Sequence, residues 1–501
     1  MQFVGLDIGT TGCKSVVFDQ DGTILAAASR EYPVEFPHPN WAEQDPESVW
    51  GLAQESLREA FSASANYDIT ALGLSVQGEA VMPVDAAGQA MRPAILGMDT
   101  RTDPQNDWLR ERFGAACLFE RTGMPIHTVN TLPKLLWLKE NEPELWAKAD
   151  RFLLYEDFLM GKMTGQAVIS RCLASRTQLF DIPQDRWSEE ILSALDLSPE
   201  RLATVKPSGI AVGPMRDKLA QALGLPAAPL VVTGGHDQAC GALGVGLIRS
   251  GLAMDSTGTA EVVEVAMGSP VLNDTLLRGN ISVYAHTAPD LYLAMTLNHS
   301  GGILLRWFRD TLGQEEIREA QASGGDAYDL LLQAVSPEPT ELLVLPHFAG
   351  SGTPTFDTAS KGAILGLTFK TDKQDLAKAI LEGLTYELRL NLDLLKEGGV
   401  AIDELRAIGG GARSDLWLQL KADITGIPVV VPRITEAACW GAALLAGAAV
   451  GCFASAASAS EDLLVLDRRF EPDPQMVERY DRLYALYGEV YPAVASISHR
   501  L

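Results

Sequence analysis

Phe3-Val4-Gly5-Leu6-Asp7-Ile8-Gly9-Thr10-Thr11-Gly12-Cys13-Lys14-Ser15-Val16-Val17-Phe18-Asp19 is the stretch from which the fold can be read. Two apolar runs flank a Gly/Thr turn, the pattern of a β-hairpin. The turn brings backbone N–H groups around Gly9, the hydroxyls of Thr10 and Thr11, and the ammonium of Lys14 to one place. Those are the groups that hold a phosphate. Asp7 brings a negative charge to the same place, which makes sense if a cation such as Mg²⁺ bridges it to the phosphate. An ordinary hairpin with a polar turn is the alternative, but it leaves the density of hydroxyls and glycines unexplained.

The pattern returns half a chain later in Leu252-Ala253-Met254-Asp255-Ser256-Thr257-Gly258-Thr259-Ala260-Glu261-Val262. Again a carboxylate precedes Thr-Gly-Thr between apolar strands. A chain of 501 residues exceeds one ordinary core. The echo therefore implies two related α/β domains, each presenting a phosphate hairpin to a shared cleft, with the join near residue 245.

Close to that join stands Thr233-Gly234-Gly235-His236-Asp237-Gln238. Pro229 to Val232 reads as a short buried strand. Ala239 to Gly244 reads as a helix of small residues packed closely against another element. The two glycines are expected to turn the backbone sharply between them. That leaves the Asp237 carboxylate at a helix mouth between the two halves. A plain N-cap aspartate is the alternative.

Three further turns carry polar groups. Ile69 to Val76 reads as a strand ending in Gln77-Gly78-Glu79, and Met91 onward as a strand ending in Met98-Asp99-Thr100-Arg101. Polar residues just past strand ends are the usual material of α/β sites, although turn chemistry alone would also place them there. Leu405-Arg406-Ala407-Ile408-Gly409-Gly410-Gly411-Ala412-Arg413-Ser414 reads as strand, glycine turn and helix N-terminus, which lets a ligand lie on bare backbone. Helical spacing is expected at 47–61, 132–140, 145–158, 373–397 and 474–491.

Hydrophobic residues make up 47% and charged residues 21%, as in a globular protein. A net charge of −25 repels nucleic acid and anionic membranes, so neither is an expected partner. Six scattered cysteines show no metal spacing and read as reduced residues of a cytoplasmic protein. The uncharged stretch Ala437 to Ser460 is long enough to span a bilayer. Its alanine, glycine and serine content points instead to a buried helix ending near Gly451.

With these motifs in place, the chain resembles the FGGY family of carbohydrate kinases, and is xylulose-kinase-like within it, over nearly its whole length. Gly362-x-Ile364-x-Gly366-Leu367, then Asp375-Leu376-x-x-Ala379-Ile380-Leu381-Glu382, matches one family signature in full. Lys134-Leu135-x-Trp137-Leu138-x-Glu140-Asn141 matches the core of the other and departs from it upstream, at Val129 and Thr131. The resemblance implies two ribonuclease-H-like domains around a central cleft, the actin and hexokinase fold. It implies a cytoplasmic kinase that uses ATP and Mg²⁺ on a sugar or polyol, with a homodimer as the family habit. Residues 1–245 would hold the sugar, the first phosphate motif and the catalytic base Asp237. Residues 246–501 would hold the second phosphate motif and adenosine.

The implied nucleotide and phosphate contacts are Asp7, Gly9, Thr10, Thr11, Lys14, Thr257, Gly258, Thr259, Gly302, Gly410, Gly411 and Ser414. The implied metal contacts are Asp7 and Asp237. The implied substrate contacts are Gln77, Gly78, Glu79, Asp99, Arg101, His236 and Asp237. Xylulose kinases usually have histidine where Glu79 stands, and His236 also departs from their commonest form. Glycerol kinases have Arg-Glu at Gly78-Glu79.

A neutral ketose such as xylulose, or a polyol, is the expected acceptor. Carboxylates at positions 79 and 99 accept hydrogen bonds from hydroxyls, and would repel gluconate unless Arg101 or His236 offset their charge. Glu79 could instead pair with an arginine and only shape its loop. Glycerol, erythritol, ribulose and gluconate are alternative acceptors. A non-catalytic sensor would not need Asp237, and an actin-like ATPase would not need Glu79 and Asp99.

Overall fold

The computed structural model of the chain describes all residues except 65–68 and 334. Two sheets organise it. The first runs Ala211–Pro214, Leu230–His236, Ile69–Val76, Gln2–Ile8, Gly12–Asp19, Ile24–Glu31. The hairpin Gln2–Ile8/Gly12–Asp19 and the return strand Ile24–Glu31 are antiparallel. Ile69–Val76 and Leu230–His236 add in parallel on the other side of Gln2–Ile8. The central strand Gln2–Ile8 is buried along nearly its whole length, which accounts for its near-continuous apolar run.

The second sheet repeats the plan. Its order is Ser282–Ala285, Tyr292–Asn298, Glu261–Met267, Gly251–Thr257, Ile402–Gly409, Val429–Pro432, Leu466–Phe470. Gly251–Thr257 pairs antiparallel with Glu261–Met267, which in turn pairs antiparallel with Tyr292–Asn298. Ile402–Gly409 and Val429–Pro432 extend it in parallel. In each sheet the strand carrying the phosphate-motif carboxylate sits at the switch between antiparallel and parallel pairing. The Thr-Gly-Thr echo is thus a duplication of fold.

Two helices of small residues join the halves. Asp237–Gly244 packs on Ala437–Ala449. A Cβ on Gly441 would lie 1.9 Å from the Cys240 oxygen, and one on Gly244 2.2 Å from that of Ala437. The second helix also lies directly on the first sheet, where a Cβ on Gly5 would come within 1.9 Å of the Cys439 oxygen and one on Gly73 within 2.1 Å of that of Ala442. Only glycine permits such approach. Phe3, Val16, Phe18, Leu243, Trp440 and Leu444 close a core shared by both halves. The uncharged stretch is therefore a helix of 13 residues followed by Ala456–Leu463. Among the described residues no helix is long and apolar enough to cross a membrane.

Three local expectations are corrected. Residues 145–158 do not form one helix: Pro143–Lys148 ends, Arg151–Leu153 forms a strand, and Tyr155–Thr164 starts a new helix. The strand expected from Met91 is only Ala94–Ile95. Gly234 and Gly235 do not turn the chain. They lie inside strand Leu230–His236, where the register shifts against Ile69–Val76. Their bareness serves close packing, since a Cβ on Gly234 would sit 1.4 Å from the Leu74 oxygen.

Candidate active site

Strand pairing brings the central carboxylates together. Asp7 lies opposite Lys14 on one side and beside Ser75 on the other, and Ser75 pairs with Gly235. Asp237 follows two residues later as the first residue of its helix. His236, not Asp237, occupies the cap position, and it makes no side-chain cap bond. The N-cap alternative for Asp237 therefore falls away.

The Asp237 side chain keeps 28% of its surface open. Its Oδ1 accepts from the Gln238 N–H at 2.6 Å and lies 3.1 Å from His236 Nε2. Burial first, and then the charge of Asp7, push its pKa up to about 7. Asp7 is pushed to about 6 by burial, against the opposing pull of its 2.6 Å hydrogen bond from Ser75 and the charge of Lys14. Lys14 also pairs with Glu436 of the second half at 2.9 Å.

The two phosphate hairpins differ chemically. Asp255, the counterpart of Asp7, is fully buried and paired with Lys421, which also reaches Thr257 Oγ1 at 2.7 Å and Glu261 at 2.8 Å. The Thr257 hydroxyl in turn donates toward Asp255 at 3.1 Å. It is thus engaged within its own domain, whereas Gly258 and Thr259 at the tip are exposed. Two glycine elements flank that tip. The Gly302 N–H, opening helix Gly302–Leu312, donates to the Gly258 oxygen at 2.8 Å. On the other side a Cβ on Gly411 would meet the Thr257 side chain at 2.8 Å. Gly410 is exposed beside it, and Ser414 caps helix Asp415–Thr425 by accepting from the Trp417 N–H. On the first hairpin, Gly9 accepts from Gln77 Nε2 at 3.2 Å, Thr10 donates to Gln77 Oε1 at 3.4 Å, and Thr11 is exposed.

Gln77, Gly78 and Glu79 are buried beside these groups. Glu79 has a left-handed φ of 57°, an uncommon setting for a glutamate. Its oxygen accepts from Thr131 Oγ1 and Lys134 Nζ, each at 3.2 Å. Its carboxylate pairs with Arg176. A Cβ on Gly78 would strike the His236 ring at 2.9 Å. Asp99 is turned away from any acceptor. Both its oxygens are occupied by Arg101 and by the Ala42 and Arg101 N–H groups, and its surface is fully covered. Arg101 is stacked 3.6 Å above the Trp41 ring and paired with Glu43.

Sequence reading missed Arg176, Lys421, Tyr284 and Glu264. Arg176 and Lys421 sit in no motif and reach the site only through tertiary packing. Lys134, which belongs to one family signature, reaches the site through its hydrogen bond to the Glu79 oxygen. The local signal available was a polar residue inside an apolar run, as with Glu264 in Glu261–Met267.

Among the described residues no cluster of three or more His, Cys, Asp or Glu could hold a metal ion by itself. Asp7 is close enough for its charge to raise the pKa of Asp237, and two such carboxylates suit a shared cation.

A duplicated sheet, each copy with a Gly/Thr hairpin on its switch strand, is the actin/hexokinase-type fold. The chain belongs to the FGGY family of carbohydrate kinases: residues 2–244 match its N-terminal domain and residues 253–450 its C-terminal domain. It is 31% identical over 493 residues to a xylulose kinase of Bacillus subtilis, covering 97% of this chain and 96% of that protein. It is 29% identical to a gluconokinase of Bacillus licheniformis, covering 97% and 94%. A solved structure from Brucella ovis, described as a xylulose kinase, superposes with a TM-score of 0.89 at 28% identity, covering 99% of this chain and all of that one. A Plasmodium falciparum glycerol kinase with ADP shares the fold, with a TM-score of 0.87 at 20% identity over 98% of both chains.

Proposed function

We propose that the protein transfers the γ-phosphate of ATP to a hydroxyl of a neutral ketose such as xylulose, or of a polyol, with Asp237 as general base. The observation that carries this is the Asp237 carboxylate, 28% open at the first residue of its helix, with burial and the charge of Asp7 pushing its pKa up to about 7. A base with a pKa near the working pH combines ionisation with a strong pull on the acceptor proton.

In this reading residues 1–245 supply the sugar loop, the first hairpin and the base. Residues 246–501 supply the second hairpin and the Gly410–Gly411 turn for adenosine. The acceptor hydroxyl donates to Asp237, which takes its proton as the oxygen attacks phosphorus. Backbone N–H groups and hydroxyls at Thr10, Thr11, Gly258 and Thr259 orient the phosphates, and the N-terminus of helix Gly302–Leu312 adds its dipole. Asp7 and Asp237 would hold magnesium, which when bound neutralises phosphate charge. Closure of the halves excludes water as a competing acceptor.

Charge argues for the neutral acceptor. Asp237, Glu79 and Glu264 share one guanidinium, Arg176; burial first, and then like charges among the carboxylates, raise the pKa of Asp237 and Glu264. His236, held neutral by burial and Arg176, adds no positive charge. Arg101 is consumed by Asp99 and Glu43. Arg176 is already paired with Glu79, and Lys14 with Glu436, so neither is free to offset the charge of gluconate.

The test is ADP release with MgATP across a panel of xylulose, ribulose, erythritol, glycerol and gluconate, with product mass spectrometry. Acceptor-dependent release with a neutral sugar or polyol is expected. Release independent of acceptor means an ATPase, and preference for gluconate overturns the charge argument. Glu79→Gln should lower kcat/KM for the best acceptor while the KM for ATP stays nearly unchanged.

A further inference from the structure

The strand that delivers Asp237 changes register just before it does so. Val232 pairs with Gly73 and Gly235 with Ser75, so three steps along Leu230–His236 oppose two along Ile69–Val76. That is a β-bulge. Side chains alternate along a strand, so one inserted residue decides which face every later residue takes. The bulge therefore sets the direction in which the strand leaves the sheet and starts the helix at Asp237.

A bulge puts backbone groups outside the ladder. Thr233 is bonded on the side of the neighbouring loop. Its N–H donates to the Ile210 oxygen at 3.0 Å, and its hydroxyl donates to the Pro207 oxygen at 2.7 Å. The Gly234 N–H is taken by a side chain from another element: Glu156 Oε1 accepts from it at 2.8 Å. Glu156 Oε2 accepts from the Ser170 N–H at 2.8 Å and from the Ser170 hydroxyl at 2.6 Å. Glu156, in the first turn of helix Tyr155–Thr164, and Ser170 are both fully buried. Ser170 caps helix Arg171–Ser175 by accepting from the Leu173 N–H at 3.2 Å. Arg176 ends that helix, pairs with Glu79 and lies 4.5 Å over the Tyr284 ring.

We propose that Glu156 is a positioning residue for the transfer, holding the Asp237 strand through Gly234 and the Arg176 helix through Ser170. This rests on the reading of Asp237 as base. A buried peptide N–H without an acceptor is costly, so the bulge is stable only while position 156 supplies an oxygen. Without it the strand relaxes toward regular register and moves Asp237 with it. The second carboxylate oxygen ties down the cap of the helix that ends at Arg176, and so the partner of Glu79. One buried side chain thereby sets the base and the acceptor loop against each other, and it touches neither.

The experiment measures kcat and both KM values of the full chain for Glu156→Gln, Glu156→Leu and Ser170→Ala. Rates are expressed per chain that binds nucleotide, with melting curves as a folding check. Glu156→Leu removes both acceptor oxygens. It should lower kcat by about tenfold or more and raise the acceptor KM, with the KM for ATP within about twofold, because a small misplacement of a reacting group is costly in rate. Glu156→Gln keeps an oxygen for Gly234 and turns its NH2 group to the Ser170 hydroxyl. It should retain more kcat than Glu156→Leu and lose more than about twofold against the unaltered protein. Ser170→Ala leaves the Gly234 bond in place and should raise the acceptor KM by about threefold or more while kcat changes less. A role in stability alone would lower the melting temperature and the fraction of chains that bind nucleotide, and leave the rates per binding chain unchanged. That result for Glu156→Leu overturns the proposal. If Glu156→Leu does not fold, a kcat and acceptor KM for Glu156→Gln within about twofold of the unaltered protein overturn it. An unchanged acceptor KM in Ser170→Ala overturns the link to Arg176. Asp237→Asn in the same assay separates the two readings. Retained activity there removes the base itself, whereas its loss beside unaltered rates in both Glu156 variants removes only the positioning.

Discussion

Lys134 donates from its buried ammonium to the main-chain oxygen of Glu79 at 3.2 Å and to that of Val129 at 2.6 Å. A residue of one family signature thereby fixes the strained turn of the proposed acceptor loop. Burial pulls the Lys134 pKa down to about 7. Lys134→Met preserves length and removes the donor. It is expected to raise the acceptor KM by about tenfold while the KM for ATP changes little, since one buried hydrogen-bonding group is lost from one side of the cleft. Steady-state kinetics with each substrate varied checks this, and a parallel rise in both KM values would place Lys134 in general stability instead.

Gly411→Val should damage nucleotide binding. A Cβ at this position meets the Cβ of Thr257 at 2.8 Å and its Cγ2 at 2.9 Å. The added side chain therefore pushes the glycine turn off the second hairpin. Titration with a fluorescent ATP analogue, beside a melting curve, reads the effect. Unchanged nucleotide affinity in a folded variant would remove this turn from the site.

Asp7→Ala should weaken the use of MgATP more than the binding of sugar. Asp7 lies on the strand that leads into the Gly9–Thr11 turn of the first hairpin, where its carboxylate accepts from Ser75 and faces the charge of Lys14. Calorimetric titration of the sugar into this variant is expected to match the unaltered protein, and a large loss of sugar affinity would place Asp7 elsewhere.

The two hairpins were legible because glycine and threonine between apolar strands are rarely arranged so for packing alone, and their repetition gave the duplicated fold. Asp237 was legible by its place between strand and helix. The glycines before it were misread, because glycine serves a turn and a close approach equally well. Here the Leu74 oxygen decides between them. Asp99 and Glu79 were both read as acceptor contacts. Which carboxylate stays near the cleft depends on where Arg101 and Arg176 fold to, and no local pattern carries that. Tyr284, Glu264 and Lys421 come from strands and helices far along the chain, so their part in the site is a property of packing.

Stability should fall as pH rises across the range set by the two cleft carboxylates. Asp7 and Asp237 titrate at about 6 and about 7 in the fold, against 3.8 ordinarily. Between about pH 4 and 7 the folded protein holds protons that the unfolded chain has released, and linkage then lowers stability with rising pH. Asp237→Asn mimics the protonated form. Without nucleotide or magnesium it should melt higher than the unaltered protein at about pH 8, and the gap should close toward about pH 4. A gap that is constant over this range would mean that Asp237 titrates as an ordinary aspartate.

The most direct measurement is the rate of ATP-dependent phosphorylation of the best neutral acceptor by Asp237→Asn, taken with its affinity for ATP. Asparagine keeps the shape of aspartate and cannot take the proton. The expected result is loss of transfer with ATP binding retained. A rate within about tenfold of the unaltered protein, which is ~1.4 kcal/mol of barrier, would contradict Asp237 as the base.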